Sequence, residues 1–174
     1  LAAHRSDTVR GWTCYALAHE HALRSPAEPL ENLLEAVRPF ADDAHFGVRE
    51  WVWMAVRPHL AKQPERALRH LAGWTADPSE RVRRCASEST RPRGGWCAHL
   101  TILKENPALG LPVLEPLQAD PSTYVQDSVG NWLNDAAKSQ PQWVSALCDA
   151  WLAQNPGKAT ARICKRALRS LHKK

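Results

Sequence analysis

Apolar residues along this chain recur with a helical period, in segments that repeat about every 40 residues. Val9, Val48, Val82 and Val125 each follow a polar, turn-forming stretch and open an alanine-rich apolar run, and Ile163 is a weaker copy of the same start. These starts lie 34 to 43 residues apart, which is typical of helix-pair solenoids such as the HEAT and armadillo arrays. No stretch alternates apolar and polar residues as a half-buried strand would. The pattern predicts an all-α chain.

The first helix of each predicted pair is visible in the intervals between these starts. Apolar residues have helical spacing over residues 30–40, 64–74, 107–117 and 141–153, and proline opens three of these segments, as suits a first helical turn. We therefore predict one domain over residues 1–174, a right-handed solenoid of about five HEAT-like helix pairs, roughly at residues 1–25, 29–60, 64–96, 107–138 and 141–172. The second helices would form its concave wall, and Pro58 and Pro92 are expected to break two of them. Because no Met stands at position 1, we expect a further segment before Leu1.

Three acidic residues of the second helices fall on one predicted face. Glu50, Glu88 and Asp135 come two, six and ten residues after the valine that opens their helix. At about 100° per residue these positions lie near ~200°, ~240° and ~280° from that valine. Each acid alone would most simply be a surface ion pair, but solvated charges need not share one stripe. The aligned set therefore favours a site on the concave wall.

Charge and composition add an expected partner. Lys and Arg number 23 and Asp and Glu 18, which gives a net charge of +5, and there are eight Trp residues. A basic surface suits nucleic acid, so we expect a concave basic face on which six arginines contact DNA phosphates: Arg49, Arg57, Arg83, Arg84, Arg91 and Arg93. No apolar run approaches the ~18 residues of a membrane span. The five Cys show no metal-ligand spacing, so free thiols in the cytoplasm and no metal site are expected.

Two longer motifs resemble a known family. The run from Val82 to Trp96, VRRCASESTRPRGGW, and the run from Asp120 to Asp135, DPSTYVQDSVGNWLND, are similar to the AlkC/AlkD group of HEAT-like DNA-alkylation repair proteins, and closer to its AlkC branch. The resemblance extends over most of the chain from about Phe46.

The resemblance implies a monofunctional glycosylase. Such an enzyme hydrolyses the N-glycosidic bond of cationic alkylated bases, such as 3-methyladenine, in double-stranded DNA; we expect it to act as a monomer with no cofactor. A carboxylate would stabilise an oxocarbenium-like sugar and position or deprotonate water. The positions that match the family's acids are Asp135 as the chief carboxylate, with Glu88 and Glu50 assisting. The residues expected to contact the lesion or the opened duplex are Trp51, Trp96 and Trp132.

Two departures keep other functions open. Gln126 and Asp127 stand where the family often has two arginines, and Trp132 replaces a His. One alternative is therefore a DNA- or RNA-binding HEAT module without excision activity, which would bind duplexes with strong salt dependence. Another is a protein-interaction scaffold, the commonest use of helical solenoids.

Overall fold

The computed structural model describes residues 1–24 and 28–171, and every regular element in these residues is helical. Two short 3-10 segments, Pro107–Gly110 and Glu115–Leu117, flank one of the helices. The α-helices are α1 (Asp7–Leu23), α2 (Leu30–Ala41), α3 (Phe46–Lys62), α4 (Pro64–Trp74), α5 (Glu80–Ser89), α6 (Thr101–Glu105), α7 (Leu111–Leu114), α8 (Thr123–Ala137), α9 (Pro141–Gln154) and α10 (Lys158–Ala167). The predicted repeat limits at residues 25 and 172 lie outside the described residues.

The helices pack in two layers. Helices α1, α3, α5, α8 and α10 contact one another in that order and are called the inner layer, while α2, α4, α7 and α9 lie in the outer layer. Outer helices also pack against the inner helix that follows them, α2 on α3, α4 on α5 and α9 on α10. This is the packing of a helix-pair solenoid, so the predicted all-α repeat architecture is confirmed.

Two inner helices begin with the same local device. Ser79 precedes α5 and Ser122 precedes α8, and the hydroxyl of each accepts a hydrogen bond from a backbone N–H in the first turn. The carboxylates of Asp77 and Asp120 accept from the backbone N–H of these serines at 2.8 and 2.9 Å. Capped starts of this kind satisfy N–H groups that a helix leaves unpaired. Because both helices start in the same way, equivalent positions along them face the same side.

The structure differs from the sequence prediction at two segments that contain proline. Residues 107–117 do not form one helix but two 3-10 turns around the single turn of α7, since Pro112 and Pro116 lack the N–H that a continuous helix needs. Helix α3 passes through Pro58 and ends at Lys62, so the predicted break there is wrong. Helix α5 does end before Pro92, at Ser89.

The core lies between the layers and includes aromatic side chains. Trp53, Trp74, Trp132 and Trp151 are buried among leucine and valine. Trp132 packs so closely on Gly110 that a Cβ atom at that glycine would lie 2.5 Å from the indole Cζ2. Within residues 1–24 and 28–171, none of the helices combines the length and apolar character needed to cross a membrane.

Candidate functional site

The three predicted acids belong to one chain of ion pairs that crosses the inner layer. Carboxylates from α3, α5 and α8 alternate with cationic side chains, so that every acid has a cation on at least one side. We call this arrangement the carboxylate ladder, and it runs through Glu50, Arg84, Glu88, Arg91, Asp135 and Lys138.

The first half of the ladder joins α3 to α5. Glu50 Oε1 lies 2.5 Å from Arg84 Nη1, and Arg84 Nη2 lies 3.5 Å from Glu88 Oε2. The other Glu50 oxygen accepts a hydrogen bond of 3.0 Å from the indole N–H of Trp53. The Arg84 guanidinium also lies over the ring of Tyr124, 4.9 Å from its centroid, which is cation–π geometry. Two carboxylates and one aromatic ring therefore hold the Arg84 guanidinium in place.

The second half joins α5 to α8 through one guanidinium. Arg91 Nη1 lies 2.7 Å from Glu88 Oε1, while its Nε and Nη2 lie 3.0 and 2.8 Å from Asp135 Oδ2. Lys138 Nζ lies 3.3 Å from the second Asp135 oxygen, Oδ1. The hydroxyl of Ser128 donates to Glu88 Oε2 at 2.7 Å. Arg91 thus bridges the two carboxylates, and neither of them carries a net uncompensated charge.

Both central carboxylates are almost buried. Glu88 and Asp135 are each 4% exposed. Burial alone would raise the pKa of Glu88, but Arg84 and Arg91, helped by Ser128, outweigh it and hold this pKa below its usual value. Burial would lower the pKa of Arg91, yet Glu88 and Asp135 raise it. A low-dielectric site strengthens the attraction of such carboxylates for positive charge. Chemically, the ladder can hold a cation or stabilise a developing one.

The arginines predicted to contact phosphates are already bonded within the protein. Arg57 is only 2% exposed. Its guanidinium donates to the main-chain carbonyls of Ser89, Arg91 and Ala98 at 3.0, 2.5 and 3.0 Å. It therefore fastens the loop after α5 to α3, and contact with DNA would require this loop to open.

Three more of these arginines stabilise helix ends. Arg83 pairs with both oxygens of Asp120 at 2.7 and 3.1 Å, and Arg49 donates to Tyr124 Oη and to two carbonyls before α3. Arg93 donates to the Asp135 carbonyl and, at 2.7 Å, to Ser139 Oγ. Together with Arg84 and Arg91 of the ladder, every arginine of the predicted set has an intramolecular partner.

The three predicted tryptophans occupy different environments. Trp96 lies in the loop after α5 and is 82% exposed. Trp51 is half-buried on α3, edge-to-face with Tyr15 at 6.4 Å between ring centroids. Trp132 is fully buried, and its indole N–H donates to Thr90 Oγ1 at 3.2 Å. Trp96 can therefore reach a ligand without rearrangement, Trp51 is partly covered by its neighbours, and Trp132 has the position of a core residue.

Sequence reasoning missed several residues around the ladder. Trp53, Tyr124 and Ser128 contact its members through a ring or a hydrogen bond. It also missed the cationic face of α10, although Lys158 and Arg162 have helical charge spacing in the sequence. The signal available for Tyr124 and Ser128 was the repeat period itself, since partners from neighbouring repeats are separated by about one repeat. For Trp53 it was the helical spacing of three residues from Glu50.

The fold and the ladder together define a class of protein, a HEAT-like helical solenoid whose inner layer carries acids held by arginines. A comparison with protein families places the chain further. Residues 23–171 match the family described as DNA alkylation repair enzyme. The chain belongs to this family, and its resemblance to the AlkC/AlkD group is confirmed.

Individual relatives agree with this family. The Bacillus subtilis (strain 168) protein YhaZ is 42% identical over 120 residues, 69% of this chain and 33% of that protein. The alkylpurine DNA glycosylase AlkC from Pseudomonas fluorescens, solved bound to DNA containing an abasic site analog, has a TM-score of 0.79 at 32% identity over 96% of this chain. AlkD2 from Streptococcus mutans has a TM-score of 0.75 at 23% identity, covering 96% of this chain and 75% of its own, and shows the shared fold. The chain spans about a third of YhaZ and 43% of AlkC.

Proposed function

We propose that this chain is a monofunctional DNA glycosylase that hydrolyses the N-glycosidic bond of cationic alkylated bases, such as 3-methyladenine, in duplex DNA. In this proposal residues 1–174 act as one repeat domain, as a monomer and without a cofactor. The observation that carries it is the pair Glu88 and Asp135, two nearly buried carboxylates bridged by Arg91. Both residues lie in the segments that resemble the AlkC branch.

The chemistry follows from where positive charge moves. A purine nucleotide alkylated at N3 or N7 carries a positive charge. As its bond to C1′ breaks, the electron pair goes to the base, which leaves neutral while the sugar becomes oxocarbenium-like. A fixed carboxylate in a site with little water stabilises that sugar charge more than bulk solvent would. Water then forms the new bond to C1′ and transfers a proton to a carboxylate.

Asp135 suits the role of chief carboxylate better than Glu88. Both Glu88 oxygens accept short hydrogen bonds, from Arg91 and from Ser128, each at 2.7 Å. Asp135 Oδ1 has the longer contact of 3.3 Å with Lys138, whose side chain is 47% exposed. A flexible lysine can leave more readily than a bridging guanidinium. We therefore assign Asp135 Oδ1 to the sugar and water, with Glu88 and Glu50 assisting through the ladder.

Aromatic side chains complete the proposed site. Trp96 is accessible enough to stack on a base or on the opened duplex, which is a sequence-tolerant way of holding nucleobases. In this proposal Trp51, half-buried beside Tyr15, contributes the edge of its ring. For Trp132 and Arg57 to contact DNA, as their positions in the sequence suggested, the inner layer would have to open around them.

The test is base release from methylated duplex DNA by the wild-type protein, Asp135→Asn and Glu88→Gln. We expect release of 3-methyladenine by the wild type and its collapse in Asp135→Asn, with a smaller loss in Glu88→Gln. Glu31→Gln is the matched control, because Glu31 is paired with Arg66 at 2.7 Å in the outer layer. A uracil-containing duplex gives the neutral-base comparison. Equal release by the wild type and Asp135→Asn would contradict the assignment.

A second candidate is a DNA-binding module without excision activity. One observation favours it, namely that all three candidate catalytic carboxylates are already paired with cations within the protein. It predicts duplex binding that survives Asp135→Asn and no base release from any alkylated duplex. A protein-interaction scaffold would bind no duplex at moderate salt. The same assay, combined with a duplex-binding measurement, separates the three.

A further inference from the structure

Helix α10 carries an unbalanced cationic face beside the ladder. Its sequence, KATARICKRA, contains four basic residues and no acid. Ile163, Cys164 and Ala167 are buried against the neighbouring helices. The basic side chains emerge on the remaining surface, and Arg169 follows in the turn after the helix. Strongly positive surfaces of this kind attract polyanions.

The arginines of α10 contact the same stripe of α8 that carries the candidate catalytic acid. Asp127, Asn131 and Asp135 are spaced by four residues, so they lie on one face of α8. Arg162 Nη2 and Arg166 Nη2 both lie 2.7 Å from Asp127 Oδ1. Arg169 Nη1 lies 2.9 Å from Asn131 Oδ1, the next position along the stripe. The α10 arginines therefore continue the line of polar contacts that Arg91 makes with Asp135.

Close packing directs one of these side chains. A Cβ atom at Gly130 would lie 2.8 to 3.0 Å from three carbon atoms of Arg166. Glycine at this position therefore lets the aliphatic part of Arg166 lie flat on α8 while its guanidinium reaches Asp127. The arrangement brings two guanidiniums to a single carboxylate oxygen.

Charge and exposure leave these arginines able to bind an anion. The side chains of Arg162 and Arg166 are 47% and 33% exposed, and one carboxylate compensates both. Each guanidinium has five donors, and the contact with Asp127 uses Nη2 of each. Planar guanidiniums with donors to spare suit phosphate oxygens.

We propose that Arg162, Arg166 and Arg169 bind the phosphates of duplex DNA beside the carboxylate ladder. This inference rests on the proposed function in one respect, namely that duplex DNA is the proposed substrate of the adjacent carboxylate ladder. It also accounts for Asp127 at a position where the resembling family often has arginine. The carboxylate gathers two arginines from α10, so the positive charge comes from the next helix instead of from α8.

The experiment measures affinity for an unmodified duplex as a function of salt concentration. Each phosphate contact contributes about 0.9 to the slope of log affinity against log salt, so Arg162→Gln/Arg166→Gln should lower the slope by about 1.8. Adding Arg169→Gln should lower it by a further ~0.9. Arg162→Lys/Arg166→Lys keeps both charges and should retain most of the slope. The matched control is Arg66→Gln/Arg69→Gln, which removes the same charge from α4 of the outer layer.

The outcomes separate this inference from the proposed function. An unchanged slope in Arg162→Gln/Arg166→Gln overturns the inference, as does an equal decrease in the α4 control or a wild type that binds no duplex. If the slope falls as expected but methylated duplex yields no free base, the phosphate-binding surface stands and the glycosylase proposal fails. If base is released and the slope is unchanged, the glycosylase proposal stands and the phosphate-binding surface fails.

Discussion

Replacing Arg57 by Met should destabilise the loop that supplies Arg91 to the ladder. The substitution keeps an unbranched side chain but leaves the carbonyls of Ser89, Arg91 and Ala98 without their donor. A hydrogen bond from a charged donor contributes about 1.5–3 kcal/mol. The Ser89 carbonyl contact is buried, whereas the other two are partly accessible to water, so their loss costs less. Burial lowers the pKa of Arg57, and removing this desolvated charge offsets part of the loss.

We expect Arg57→Met to lower the free energy of unfolding by about 3 kcal/mol, measured by urea denaturation with circular dichroism. The free energy of unfolding of Arg57→Lys should lie between those of the wild type and Arg57→Met, because a single ammonium cannot reach three separated carbonyls as a guanidinium does. Arg69→Met is the control for losing an exposed arginine, and surface changes of that kind stay within about 0.5 kcal/mol. An Arg57→Met protein as stable as this control would refute the argument that the three hydrogen bonds hold the loop.

Two other predictions concern packing and pH. Gly110→Ala should lower the melting temperature by several degrees, because overpacking of the buried Trp132 ring costs about 1–3 kcal/mol. The control is Gly73→Ala, where no heavy atom lies within 4 Å of the added carbon, and its melting temperature should be equal to or slightly above that of the wild type. Because the pKa of Glu88 is below its usual value of 4.5, its ion pairs stabilise the protein above that pH and the stabilisation is lost as the pH falls through the lowered pKa. Urea denaturation from pH 6 to pH 3 should therefore show a smaller acid-induced loss for Glu88→Gln than for the wild type, and parallel curves would contradict this.

The sequence allowed the helices and the shared face of the acids to be predicted, because both depend on local rules. Proline in a first turn located the starts of α4 and α9 at Pro64 and Pro141. The period of 3.6 residues placed Glu88 and Asp135 on one face of their helices. Neither rule describes what lies opposite that face, and so neither could show that Arg91 bridges the two carboxylates.

Burial depth was the main quantity that the sequence did not reveal. Arg57 and Trp132 look like surface contacts in a pattern of charged and aromatic residues, yet one is 2% and the other 0% exposed. Whether such a side chain is buried depends on residues far away in the chain. Three carbonyls after the start of α5 accept from Arg57, and Gly110, in the same helix pair as Trp132, leaves room for its ring. These partners are 22 to 41 residues away in the chain.

Many inter-repeat partners nevertheless have a regular separation. Arg84 pairs with Glu50 across 34 residues, and Arg162 pairs with Asp127 across 35. These separations match the spacing of the repeats, because equivalent positions of neighbouring inner helices stand side by side. A search for opposite charges one repeat apart would have found both pairs from the sequence. It would also have shown Asp127 as a partner for arginine instead of a negative charge that weakens DNA binding.

Under the proposed function, the charge balance of the inner layer would connect DNA binding with the choice of base. The ladder contains as many cations as carboxylates, so it adds nothing to the net charge of +5, while the four cations of α10 stand without an acid in their helix. Electrostatic attraction in salt acts over about 10 Å or less, so the backbone of a duplex would be held at α10 without repulsion from the neutral ladder next to it.

A cationic base that displaces Lys138 or Arg91 would keep each carboxylate of the ladder paired. A neutral base would leave a nearly buried carboxylate without a partner, which costs several kcal/mol. The ladder would therefore select positively charged lesions by charge replacement, even where neutral and cationic bases have the same shape.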